Sequence, residues 1–181
     1  SACIAAAKSL KKSQRFQVVV VKSTVSHTTT EKIVKPILES KSGKVCGKDF
    51  WLAMNPEFLR EGTALHDFLN PDRIVIGAFD SKSFEILHSL YASFKCAIVD
   101  VDPTTAEMVK YASNSFLATK ISFINEIGNV CKALGIDTFK VANAMGFDKR
   151  IGHQFFRAGI GFGGSCFPKD VSELRHFAKS L

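Results

Sequence analysis

The sequence has no Cys-x-x-Cys pair, and its five cysteines (Cys3, Cys46, Cys96, Cys131 and Cys166) are odd in number and scattered. That excludes a disulfide framework and a zinc site of ordinary ligand spacing, and it fits a reducing, cytoplasmic setting. No metal is expected. No apolar run approaches the roughly 20 residues of a membrane span, and the first residues do not have the shape of a signal peptide. No nucleic-acid-binding motif accompanies the lysines and arginines. Internal repeats and low-complexity tracts are absent as well.

The chain instead has 46% hydrophobic and 23% charged residues over 181 positions, which places it with soluble globular proteins. That length forms one good core or two small domains. The net charge is +7, much of it from Lys8, Lys11, Lys12, Arg15, Lys41, Lys44 and Lys48, spread over expected loops and solvated helix faces. Such a balance suits an anionic small ligand or a plain soluble surface.

Short β-branched runs alternate with helical pattern in the first hundred residues. Residues 16–21 read as a strand buried on both faces, and Thr28-x-x-Glu31 resembles a capping box opening a helix to about Leu38. Further strands are expected at 50–54, 73–77 and 97–101, with a helix at 84–94. This is α/β pattern with a parallel sheet, a partial Rossmann-like arrangement, and ligands of such sheets gather at strand carboxyl ends, where Thr24 and Glu57 fall. After Pro103 the pattern turns all-helical. Residues 104–134 form one long helix of roughly 45 Å, apolar on several faces, which points to burial against a second copy of the chain. Gly135 ends it, Asp137 caps the next helix, and another begins at Asp170. The expected division is 1–103 and 104–181.

One run concentrates chemistry: Gly161-Phe-Gly163-Gly164-Ser-Cys166-Phe-Pro168-Lys169-Asp170. Pro168 suits a first helical position, so the thiol of Cys166 would sit just outside a helix N-terminus with Lys169 beside it; both favour the thiolate. A buried structural cysteine next to a flexible turn is the alternative. Gly159, Gly161 and Gly164 also spell G-x-G-x-x-G, but no strand is expected before them and a cysteine interrupts the exit, so they do not read as a dinucleotide fingerprint. Two polar pairs complete the candidates. Lys110 and Asn114, four apart on the long helix, share a face, either functional or solvated. Glu57 and Glu61 share one too if Asn55 caps a turn opened by Pro56, serving acid/base work or a surface bridge with Arg60.

These segments together resemble the UDP-glucose/GDP-mannose dehydrogenase family. The matching stretches are Lys22-Ser-Thr24-Val25, Asn55-Pro-Glu57-Phe-Leu-Arg-Glu61-Gly62, Asn70-Pro-Asp72-Arg73-Ile-Val-Ile-Gly77, Glu107-Met-Val-Lys110-Tyr-Ala-Ser-Asn114, Asn125-Glu126 and the cysteine run. Gly-Gly-Ser-Cys-Phe resembles the UDP-glucose branch, with a near-identical run in the GDP-mannose one. The loop Phe155-Phe-Arg157-Ala-Gly159 also resembles the UDP-glucose branch, and Ser165 stands where the UDP-N-acetylmannosamine branch has histidine. Ser26-His27-Thr28 departs from the usual Pro-Val-Gly. The resemblance covers the end of a cofactor domain and a central helical domain, with both flanks of a complete member missing.

The resemblance implies NAD as cofactor, a nucleotide sugar as substrate, a homodimer, and oxidation of the sugar C6 alcohol to a carboxylate in two hydride transfers. Lys110 and Asn114 would stabilise the developing alkoxide, where loss of one donor typically costs about 3–4 kcal/mol. Cys166 would trap the aldehyde as a thiohemiacetal that becomes a thioester. Asp170 and Thr24 would hold a water, with Glu57 the acid/base in hydrolysis. Thr24, Glu61 and Lys169 would contact the cofactor. Glu57, Phe58, Leu59, Lys110, Asn114, Phe155, Phe156, Arg157, Ala158, Gly159 and Gly163 would contact the sugar. The alternatives are the same chemistry on GDP-mannose, or a dimerising scaffold without catalysis.

Overall fold

Runs of branched and apolar residues form four short strands: β1 (Val18–Val21), β2 (Trp51–Met54), β3 (Arg73–Ala78) and β4 (Ala97–Val101), hydrogen-bonded in that order. The structure, a computed structural model, describes residues 2–181. The chain divides at Lys110/Tyr111 into two compact units, and the sheet belongs to the first.

β1 and β2 are parallel, with Val21 opposite Met54, and β3 and β4 are parallel, with Gly77 opposite Val101. β2 and β3 run antiparallel, so the sheet is mixed and mostly parallel, where the sequence pattern suggested a parallel one. The cause is the connection between them. A parallel crossover needs a helix long enough to cover the sheet, but α3 (Ala64–Leu69) has six residues and buries none of them. The α/β class otherwise stands.

Side-chain alternation sends the residues of β2 and β3 to two covered faces, whereas Ala97, Val99 and Asp100 of β4 stay exposed. On one face Ala7 and Leu10 of α1 (Ala2–Lys12) and Leu38 of α2 (Lys35–Ser42) pack on Phe50 and Leu52. On the other, Leu87 and Tyr91 of α4 (Ser81–Tyr91) pack on Ala53, Ile74, Ile76 and Ala78. Leu38, Leu52 and Ile76 are fully buried, each contributing about 1.5–3 kcal/mol by transfer from water. The first turns of α5 (Pro103–Leu134) lie on the first face, where Ala106 meets Met54 and Val75. Gly77 makes this approach possible: a Cβ there would stand 2.6 Å from the Ala106 Cβ and 2.8 Å from the Pro103 Cα.

The capping box expected at Thr28 is not formed. The helical stretch opens as a π-turn, Thr30–Val34, that runs directly into α2 and ends at Ser42 with Gly43 left-handed. Its N-cap residue Thr29 makes no side-chain cap bond. The Thr28 N–H, which a box would give to Glu31, donates instead to Glu107 of α5 at 2.6 Å.

The second unit contains the rest of α5, α6 (Thr138–Gly146) and α7 (Cys166–Lys179) around Ile124, Ala142 and Phe156. Asp137 caps α6 by accepting from the Phe139 N–H at 2.9 Å, as its position suggested. α7 begins at Cys166, four residues before Asp170, and Pro168 is its third residue rather than its first. Proline is tolerated there because no N–H of the first turn has an intrahelical acceptor. Among the described residues no helix is long and apolar enough to cross a membrane, and no cluster of side chains has the makings of a metal site.

Candidate active site

In the first unit β1 and β2 end side by side, so the turns carrying Thr24 and Glu57 leave from adjacent strand ends. Asn55, buried, fixes the second of these. Its N–H donates to Val21 O at 2.9 Å and its Nδ2 to Val75 O at 2.7 Å. Its Oδ1 accepts from Tyr91 Oη at 2.5 Å and Lys22 Nζ at 2.7 Å. Asn55 therefore turns inward and caps nothing. Residues 55–60 are not helical, so Glu57 and Glu61 do not share a helix face. Glu61 is exposed on the following turn, near Arg60, whose guanidinium is held by Asp67; that hydrogen bond keeps the Asp67 carboxyl well below the usual carboxylate range.

Glu57 and Lys110 are brought together. Glu57 Oε1 lies 3.0 Å from Lys110 Nζ, while Oε2 accepts the Leu59 N–H at 2.7 Å. The ammonium is also 5.4 Å from the centre of the Phe58 ring, which Arg73 covers at 4.0 Å. Lys110 is 3% exposed and Asn114 7% exposed, so neither belongs to a solvated helix face. A desolvated ammonium beside a partly open carboxylate can hold an oxyanion and pass or receive a proton. Thr24 is half-buried, three residues beyond the end of β1.

In the second unit Cys166 is the exposed one among the five free cysteines; Cys131 is buried and the others are half-buried. A structural role in a core is thereby excluded. The thiol occupies the first turn of α7, with Sγ 3.7 Å from the Ser165 Oγ. One turn further, buried Asp170 accepts from Asn114 Nδ2 at 2.6 Å and pairs with the Lys169 ammonium. Asn114 and Asp170 are thus brought together, and Lys169 is anchored rather than extended.

The 155–159 loop is held by two α5 side chains: Lys120, which the sequence pattern did not single out, and Asn125, present there only as part of a matching stretch. Lys120 Nζ donates to Ile151 O at 3.0 Å and lies 4.6 Å from the centre of the Phe156 ring, and its burial pushes its pKa down. Asn125 Oδ1 accepts the Gly159 N–H at 2.7 Å. Phe155 adopts φ +64, Phe156 and Ala158 pack inward, and Arg157, Gly159 and Gly163 are exposed. No strand precedes Gly159, consistent with rejecting the dinucleotide fingerprint there. Glu107 and Asn55 are two more residues that build the site without standing out as its members in the sequence. Their signal is charge or amide inside an otherwise apolar stretch.

Comparison with known proteins matches residues 1–95 to the UDP-glucose/GDP-mannose dehydrogenase family NAD binding domain and residues 104–181 to that family's central domain. UDP-glucose 6-dehydrogenase YwqF of Bacillus subtilis is 51% identical over 98% of the chain and 40% of its own length. GDP-mannose 6-dehydrogenase of Pseudomonas savastanoi pv. phaseolicola is 47% identical over 90% of the chain and 38% of its own length. The solved UDP-glucose dehydrogenase of Pyrobaculum islandicum superimposes with TM-score 0.94 at 49% identity, covering 99% of this chain and 41% of that one. The chain thus spans about two fifths of the length of these relatives.

Proposed function

The chain belongs to the UDP-glucose/GDP-mannose dehydrogenase family, and from that premise we propose that it carries the reacting residues of an NAD-dependent nucleotide-sugar 6-dehydrogenase acting on UDP-glucose. The observation that carries this is Cys166, an exposed thiol on the first turn of α7 with the buried Asn114–Asp170 pair one turn on. Ser165 before the cysteine sets the chain apart from the UDP-N-acetylmannosamine branch, and the Phe155-Phe-Arg157-Ala-Gly159 loop favours UDP-glucose over GDP-mannose. We place the division at Pro103, with 1–103 belonging to the cofactor domain and 104–181 to the central domain.

The first unit suits one end of the dinucleotide. Thr24 stands past two parallel strand ends, where Rossmann-like sheets take such ligands, and its hydroxyl can donate or accept. Among the described residues there is no strand–turn–helix glycine loop for the pyrophosphate. Thr24, Glu61 and Lys169 are the residues that would contact the cofactor, which accepts hydride when bound. Lys110 and Asn114 donate to the C6 oxygen as negative charge develops on it. Once the C6 alcohol has given up a proton and a first hydride, the Cys166 thiolate would add to the aldehyde carbon as a thiohemiacetal. Loss of its hydroxyl proton and a second hydride, to a second NAD, would leave a thioester. Asp170 and Thr24 orient a water, and Glu57 removes its proton as it attacks the thioester.

Phe116, Phe123 and Val130 recur at seven-residue intervals on α5 and are exposed, and this stripe supports self-association into a homodimer. In a full-length dehydrogenase carrying this sequence, Cys166→Ser should abolish uronate formation. Normal turnover with two NADH per sugar in that variant would remove the assignment. The 181 residues alone should give no NADH from UDP-glucose and NAD, because remote binding energy is what aligns the reacting carbon.

A further inference from the structure

The N-terminus of the Thr30–Ser42 helical stretch is closed by a carboxylate that comes from beyond the last strand of the sheet. Glu107, 1% exposed, accepts from Thr28 N at 2.6 Å through Oε2. Through Oε1 it accepts from Thr30 N at 2.8 Å and Thr30 Oγ1 at 2.7 Å. Both N–H groups belong to the opening of a helix, where backbone donors lack internal partners and the dipole favours negative charge. Thr30 is fully buried, so water cannot replace the carboxylate there. Thr28 adopts φ +63, a left-handed conformation unfavourable for a β-branched residue. Its N–H is one of the three groups that Glu107 holds. Lys110, three residues on, reaches the turn after β2 through Glu57. One end of α5 therefore grips the turns after both parallel strands, Glu107 the first and Lys110 the second.

We infer that Glu107 is a positioning residue: its carboxylate holds the turn between Thr24 and Thr30, and through it the placement of Thr24, without touching substrate or cofactor itself. The inference rests on the proposed function only for the role of Thr24; the anchoring of the turn rests on geometry alone. Glu107→Gln separates the two arms. An amide keeps one oxygen for Thr30 but turns an N–H₂ toward the Thr28 N–H, two donors face to face. Thr30→Val removes one bond from the opposite side while leaving Glu107 intact.

Hydrogen exchange of the 181-residue chain and NAD kinetics of a full-length dehydrogenase carrying it, each with both substitutions, test this. Exchange at residues 28–30 should quicken at least tenfold in Glu107→Gln and less in Thr30→Val, with β3 and β4 amides unchanged. The KM for NAD should rise at least tenfold in Glu107→Gln, while alkylation of Cys166 by iodoacetamide proceeds at the parent rate. A merely structural glutamate would slow turnover by loss of folded protein and leave KM alone, and that outcome overturns the positioning role. Unchanged exchange at residues 28–30 overturns the anchoring. If Glu107→Gln does not fold, Thr30→Val carries both readouts, and parental values in both overturn the inference. A parent enzyme inert toward NAD would remove the proposed function, while the exchange result would still decide whether Glu107 holds the turn.

Discussion

Neutralising Glu57 should leave the buried Lys110 ammonium without its counter-charge, and the cost can be bounded from the geometry. The side chain of Lys110 is 4% exposed and that of Glu57 31%, with 3.0 Å between charged atoms. Breaking a fully buried pair by removing one partner costs about 3–5 kcal/mol, whereas truncating a charged hydrogen bond costs about 1.5–3 kcal/mol. Glu57 is partly open and glutamine keeps an acceptor, so Glu57→Gln should fall near the overlap, about 2–3 kcal/mol. Lys110→Met keeps the stem's packing and leaves the carboxylate to water, and should cost less, about 1–2 kcal/mol. In the double variant no charge is stranded, so the two losses should not add, leaving a coupling of about 1–2 kcal/mol. The assay is urea unfolding followed by Trp51 fluorescence, since the one tryptophan lies in the first unit. With a slope near 2 kcal/mol per molar, the Glu57→Gln midpoint should drop by roughly 1 M. Single-variant losses that sum to the double-variant loss within about 0.5 kcal/mol would refute the pairing as an energetic unit.

Gly77→Ala should destabilise the first unit by about 1–3 kcal/mol, because its Cβ would meet the Ala106 Cβ and the Pro103 backbone at 2.6 Å and 2.8 Å; a parental urea midpoint would contradict this. Asp102 titrates low chiefly because the Thr105 hydroxyl, then the Thr105 N–H, bonds its ionised form. Its contribution is therefore complete above the unfolded value near pH 4 and fades as pH falls through the lower folded value. Asp102→Asn should accordingly show a shallower loss of melting temperature between pH 5 and 2 than the parent. Light scattering of the chain at micromolar concentration should give a dimer mass, and Phe123→Asp should lower it; a monomer in the parent would contradict the α5 stripe.

Elements whose signals are local were legible in the sequence. Asp137 caps α6 through a bond only two residues long, and Gly135 ends α5 with φ +69. The β4 strand and the long helix follow from apolar spacing that any register preserves. Features whose partners lie far along the chain were not legible. Asn55 looked like a local cap, but its partners are 20 to 36 residues away and draw its side chain into the sheet. The antiparallel step at β3 depends on how little α3 buries, which composition does not reveal. Within the candidate site, the residue pattern singled out Cys166 and the Lys110–Asn114 pair while leaving a bland alternative open for each, and the family resemblance supplied roles for them and for Asp170. What folding added was burial and pairing: which carboxylate takes which cation.

The Glu107 bonds also have a consequence for the order in which the molecule can be finished. Thr30 and Glu107 are 77 residues apart, so at synthesis rates of about 5–20 residues per second about 4–15 s separate their appearance. In that interval the Thr28 N–H and the Thr30 N–H and hydroxyl have only water to bond, and a helix of that length is marginal alone. Closing the loop is thus a late, non-local event, of the kind that slows folding. A nascent chain halted before residue 107 would have β1 through β4 already made and still lack the group that closes the turn after β1. The start of α5 is therefore the piece that the turn after β1 waits for.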